Sequence, residues 1–201
     1  MKNKIGLVLS HTFVREGEDY KWEWIDNSIG KHRDIYDNFY IVLSGHGVTP
    51  PDYIIDKIDA CYWDEHIQEK EIGRGHPFFC IKGYEACREA GCKKTLKNRA
   101  TDWLENDSIL DHDLAFCSTN TDLEKGLLGD LLIFGDTKEL ELLWNGRSWD
   151  YDIGCGLPNL YQNAVSIFGL DYFDKATFLD SKSFGWITPA DWRGKAGYWG
   201  L

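Results

Sequence analysis

The run Lys4-Ile-Gly-Leu-Val-Leu9, followed at once by Ser10-His11, decides the fold. A short, unbroken apolar stretch that stops at polar residues reads as a buried β-strand. The same pattern recurs at Phe39–Leu43, stopped by Ser44-Gly45-His46-Gly47, and at Ala60–Trp63, ending in Asp64-Glu65. Thr95–Arg99 reads as a fourth strand, ending in Thr101-Asp102. Between these runs lie a Trp-rich amphipathic segment, Tyr20–His32, and a helix over Asp52–Ile58 opened by Pro50-Pro51. A charged loop, His66–His76, precedes a helix over Phe78–Ala90 that carries Gly91 at its C′ position. Strand–helix alternation of this kind predicts an α/β fold with a mainly parallel, Rossmann-like sheet flanked by helices.

The second half is less regular. Leu114–Ser118 and Asp130–Phe134 read as strands, and Lys138–Asn145 and Leu157–Phe168 as helices. The tail from Thr177 reads as aromatic and loop-rich. With 201 residues, no internal repeat and no low-complexity linker, one domain is expected.

Hydrophobic residues make up 43% of the chain, enough for a core, which excludes global disorder. The formal charge of −11 argues against nonspecific nucleic-acid binding, which runs on clustered Lys and Arg. The six cysteines form no CxxC and no zinc-finger spacing, so they read as buried thiols. No secretion signal is legible at the start, and no stretch approaches the roughly 18 apolar residues of a transmembrane segment. A cytoplasmic protein is expected.

In a parallel sheet, ligands gather at the carboxyl ends of the strands. Here those ends carry Ser10-His11, Ser44-Gly45-His46, Asp64-Glu65 and Arg99–Asp102. Turn chemistry supplies many of the same residue types. The chain has no Walker loop, no GxGxxG after the first strand, no GxSxG and no HExxH. Lys97-Asn-Arg99-Ala-Thr-Asp102 is the strongest local signal. An Arg grips a diphosphate in bidentate fashion, and an Asp ligates Mg²⁺ or Mn²⁺ or holds a sugar hydroxyl. The bland alternative is a capping Asp beside a surface Arg. Two DxD triplets, Asp111-His112-Asp113 and Asp150-Tyr151-Asp152, are weaker signals in so acidic a chain. The second sits beside Trp149, as a sugar-facing loop would.

The stretch Gly91–Asp102 resembles the K-x-R-[ST]-D block of WavE-type lipopolysaccharide-synthesis proteins, which are glycosyltransferases with a GT-A-like fold. One extra residue separates Arg99 from Asp102 here. Gly129–Trp144 resembles the D-x-x-x-x-G…L-W segment of that family. Pro158-Asn159-Leu-Tyr161 resembles its P-E-x-x helix start, with Asn159 in place of Glu. The length is also similar to that of small virus-encoded GT-A glycosyltransferases, for which the compartment would be the host cytoplasm.

The resemblance implies a nucleotide-sugar half, about residues 1–105, and an acceptor half, about 106–201. The partners it implies are a nucleotide-diphosphate sugar donor and a glycan acceptor, with Mn²⁺ or Mg²⁺ as cofactor. Ser10, His11, Ser44, Asp64, Arg74 and Arg99 are the expected substrate-binding residues, with Arg74 and Arg99 on the phosphates and Asp102 on the metal. Since Asn159 is no base, Asp150 or Asp152 is expected to deprotonate the acceptor. The alternative is a non-catalytic α/β module that binds nucleotides or glycans in the same place.

Overall fold

The computed structural model describes residues 3–65, 72–117, 121–129, 132–145 and 157–179, without the side chains of 11–13, 72–76 and 157–159. Seven strands form one sheet: β1 (Ile5–Val14), β2 (Phe39–Gly47), β3 (Ala60–Asp64), β4 (Lys94–Arg99), β5 (Leu114–Cys117), β6 (Leu132–Asp136) and β7 (Ala176–Leu179). Their order is β3-β2-β1-β4-β6-β5-β7. β6 alone runs against the other six, since it is antiparallel to β4 and β5 while the remaining pairs are parallel. The predicted α/β class with a mainly parallel sheet is what forms.

The helices α1 (Tyr20–Ile35), α2 (Asp52–Ile55), α3 (Ile72–Glu89), α4 (Thr137–Trp144) and α5 (Leu157–Phe168) flank the sheet. Trp22, Ile25 and Ile29 of α1 pack with Leu7, Leu9, Ile41, Leu43 and Leu96 in one apolar layer. The opposite layer joins Val8 and Val42 to Cys80, Tyr84 and Cys87 of α3, Leu140 and Trp144 of α4, and Leu160 of α5. Alternate residues along each strand therefore serve opposite faces.

α3 lies close on the sheet. A Cβ on Gly6 would come within 2.5 Å of Cys87 Sγ, and one on Gly83 would run into the Val8 methyls. Gly83→Ala is accordingly expected to cost about 1–3 kcal/mol by overpacking, although Ala is the better helix former. Thermal unfolding checks this, and Val8→Ala in the same chain should restore part of the loss. At the helix end, Gly91 has a φ of 82°, and the Cys92 N–H bonds to the Cys87 carbonyl at 2.9 Å. This is the αL termination that Gly91 predicts.

Several boundaries depart from the sequence reading: β2 runs on from Leu43 through Ser44 to Gly47, and α2 ends at Ile55 rather than Ile58. α3 starts at Ile72, not Phe78, and runs through Pro77, so part of the expected His66–His76 loop is helical. Pro77, Phe79 and Cys80 are buried, and that packing outweighs the proline penalty. β1 does not stop at Leu9; it continues to Val14 across a register shift between Leu9 and Thr12. Ala176–Leu179, expected in the loop-rich tail, adds β7 beside β5.

Candidate functional site

Along the chain, β2 and β3 are laid down to one side of β1, and β4 to the other. The order reverses between β1 and β4, and the crevice outside the carboxyl ends of two such strands is where open α/β sheets bind ligands. Ser10 of β1 and Arg99 of β4 are register partners at this point. The Ala100 N–H bonds to the Ser10 carbonyl at 3.0 Å, so the end of β4 stays joined to β1.

The register shift lies here too. Leu9 pairs with Leu43 and Thr12 with Gly45, so β1 has one more residue than β2 over this interval. Ser10-His11 thus forms a bulge opposite Ser44. Bulges re-aim side chains and are common beside active sites.

Side-chain parity gathers several expected residues on one face. Ser10 follows Gly6 and Val8 on the α3 side, and its Oγ lies 3.4 Å from Cys80 Sγ. Ser44 follows Val42 on that side; its Oγ is buried with no hydrogen-bond partner among the described residues. His46 comes next, its ring stacked on Phe79 of α3 at 5.5 Å. Burial pushes His46 down to about 4, against the pull of Asp64, its register partner at the end of β3. On β4, Thr95 bonds to Thr137 of α4, and Lys97 sets its ammonium 5.3 Å from the centre of the Trp144 ring.

Arg99 shares that parity. Its Nε donates to Asp102 Oδ2 at 2.6 Å, with the Arg99 side chain 7% and the Asp102 side chain 0% exposed. Thr101 Oγ1 donates to Asp102 Oδ1 at 3.3 Å. Burial raises the Asp102 carboxyl above the ordinary aspartate range, while Arg99, Thr101 and Lys97 pull it back. The pair is neither an open ligand grip nor a surface pair; it is an ion pair buried in the strand-end turn.

The Asp102 carbonyl is held from the opposite face. Ser28 Oγ of α1 donates to it at 2.6 Å and Asn98 Nδ2 at 3.2 Å. Asn98 Oδ1 accepts from the Arg99 N–H at 2.9 Å, which fixes the orientation of the amide. His32 of α1 lies with Nε2 3.4 Å from Asn98 Nδ2 and bonds through Nδ1 to the Ser28 carbonyl at 2.7 Å. Neither this network nor buried Lys97 was singled out from the sequence, where Ser28 and Asn98 are 70 positions apart.

Other expected residues lie apart or outside. Arg74 belongs to the backbone of α3 rather than to a loop, and its side chain is outside the described residues, as is that of His11. Asp150 and Asp152 are outside the described residues altogether. Asp113 of the first DxD triplet is a surface carboxylate, paired with Lys94 at 2.9 Å. Among the described residues, no three His, Cys, Asp or Glu side chains converge to hold a metal. Asp102, the expected ligand, has both oxygens engaged, with Arg99 and Lys97 as its neighbouring charges. The described residues therefore do not form a cradle for Mn²⁺ or Mg²⁺. No helix among them is long and apolar enough to cross a membrane.

No protein-family model and no curated protein matches the chain. Solved structures do. A glycosyltransferase involved in the glycosylation of the major capsid of PBCV-1 aligns at a TM-score of 0.49 and 10% identity, over 89% of this chain and 82% of its own. The glycosyltransferase GlyE of Streptococcus pneumoniae TIGR4 aligns at a TM-score of 0.50 and 10% identity, over 90% of this chain. The match covers 46% of GlyE, so the chain spans about half the length of that protein. What the chain shares with GlyE is the fold, a single α/β domain built on a mainly parallel sheet with helices on both faces.

Proposed function

We propose that the chain is a glycosyltransferase that moves a sugar from a nucleotide-diphosphate sugar to a hydroxyl of a glycan acceptor. The observation that carries this reading is the pairing of Ser10 with Arg99 at the β1/β4 switch point, with Arg99 tied to Asp102 and Lys97 two residues behind. The resemblance of Lys97–Asp102 to the WavE-type block and the fold shared with GlyE point the same way.

In the proposed reaction the acceptor oxygen attacks the anomeric carbon. The bond from that carbon to the diphosphate oxygen breaks, and the electron pair leaves with the diphosphate. Arg99 and Lys97 bring positive charge to the side where that negative charge develops. Ser10 and Ser44 supply hydroxyls to the donor, and His11, Asp64 and Arg74 are the further donor contacts proposed. The proton of the acceptor passes to Asp150 or Asp152. Mn²⁺ or Mg²⁺ is an expectation from the resemblance, so transfer is assayed with and without each ion.

One observation favours a module that binds without turnover: the Asp102 carboxylate is already neutralised by Arg99. A screen of nucleotide sugars separates the two readings. Donor at a hundredfold excess over its dissociation constant stabilises the fold by about 2.7 kcal/mol, a rise in Tm of roughly 5–10 °C for a chain of this size. Transfer to an acceptor supports the enzyme, and a Tm rise without transfer supports the binding module. Absence of both results across the screen overturns the proposal.

A further inference from the structure

We propose that Ser28 and Asn98 are positioning residues that set the Arg99–Asp102 turn against the donor from the opposite face of the sheet. The inference rests on the transferase reading above. A carbonyl at a strand end is normally satisfied by one donor or by water, but two side chains from separate elements converge on the Asp102 carbonyl, Ser28 at 2.6 Å and Asn98 at 3.2 Å. The same Asn98 amide holds the Arg99 N–H at 2.9 Å. The turn closes itself through the Asp102 N–H to the Arg99 carbonyl at 3.1 Å. Both ends of the turn are thus clamped by a single side chain, and Ser28 ties that clamp to α1.

Ser28, Asn98 and Asp102 are each fully buried. His32 completes the arrangement. The Arg99 N–H fixes Asn98 Oδ1 as the acceptor, so Nδ2 faces both the Asp102 carbonyl and His32 Nε2. His32 Nδ1 then donates to the Ser28 carbonyl. These contacts come from the α1 side, whereas Lys97 and Arg99 have the opposite parity, toward α3 and α4. The clamp therefore acts on the guanidinium and carboxylate through the backbone, from the face opposite the one their side chains occupy.

The test uses Ser28→Ala and Asn98→Asp, with Ile25→Val as a control for core loosening in the same helix. Inorganic pyrophosphate is the binding probe, because it carries the chemistry common to every nucleoside diphosphate. Hydrogen exchange at Arg99 Nε–H, followed by NMR in the absence of ligand, reports the turn directly. Each clamp variant is expected to weaken pyrophosphate binding about tenfold and to speed exchange at Arg99 by a similar factor relative to the Val8 amide, an effect of the size of one lost hydrogen bond. Ser28→Thr should restore both readouts, and Ile25→Val should leave both unchanged. Unaltered exchange at Arg99 in Ser28→Ala overturns the inference, whatever the protein binds. Exchange that rises while pyrophosphate affinity holds at the wild-type value also overturns it, since the turn then moves without consequence for the anion. A wild-type chain that binds neither pyrophosphate nor any nucleotide sugar overturns the transferase reading, and with it the assignment of this turn to a donor.

Discussion

Arg99→Ala is expected to lose about 3–5 kcal/mol of stability at neutral pH, because it leaves the Asp102 carboxylate buried without its partner. The Asp102 side chain is 0% exposed and takes its shortest hydrogen bond, 2.6 Å, from Arg99 Nε. Burial already raises its carboxyl above the ordinary aspartate range. Without the guanidinium it rises further, and the folded state then binds a proton that the unfolded chain, titrating near pH 3.9, gives up more readily. The deficit should therefore be smallest in acid, below the unfolded value. It should grow as pH rises through the folded value and be complete above it.

Asp102→Asn in the Arg99→Ala background removes the stranded charge, so stability should return in part and its pH dependence should flatten. Pyrophosphate binding should not return, since the guanidinium proposed as a phosphate contact is still absent. Urea unfolding of both single variants and the double variant, each at pH 5 and pH 8, gives the coupling energy directly. Wild-type stability for Arg99→Ala at pH 8 would contradict a buried pair.

How much of this was readable beforehand depended on the range over which the chain acts. The apolar runs that became β1 and β2 were legible because a strand buried on both faces needs no partner to declare itself, whereas β3 and β4 were read from their place in the strand–helix alternation. The convergence of Ser10, Ser44 and Arg99 was half legible. Their polar character after apolar residues was visible in local sequence, but their common face follows from the pairing register of β1 with β2 and β4, which no single segment announces. Pro77, Gly73 and Gly75 disguised the start of α3, because breaker residues dominate a local reading while the packing that overrides them is tertiary. β7 was hidden for a related reason: Ala176–Leu179 is short and partly exposed, and becomes a strand through pairing with β5. Lys97 stood in a quoted motif without a role, because nothing local says that its ammonium will lie over Trp144. Arg99 and Asp102 were visible as a pair, but their burial was not, and burial turns an optional contact into a requirement.

Acid is expected to weaken the fold well before the carboxylates titrate, and His32 is the main cause. Its ring is fully buried between α1 and β4, with Ser28, Asn98 and the edge-on Phe39 ring as its contacts. Burial pushes it down to about 4 from an ordinary 6.5, against the hydrogen bond to the Ser28 carbonyl. The folded chain keeps the imidazole neutral where the unfolded chain has protonated it. No penalty exists above pH 6.5. It builds as pH falls toward 4, reaching about 3 kcal/mol for this group, and changes no further below that. His46, also pushed down to about 4, adds to the slope in the same window. Protonation would also force Nε2 to become a donor facing the Asn98 amide, which already donates toward it, so the penalty falls on the clamp behind Asp102.

Urea unfolding between pH 4.5 and pH 6 should show stability rising with pH with a slope of roughly two protons. In His32→Gln, which is less stable at pH 7 through loss of the network, that slope should drop by about one proton. An unchanged slope in the variant would assign the acid sensitivity elsewhere. An NMR titration of the wild-type ring with a midpoint near 6.5 would show that the site opens to water long before the chain unfolds.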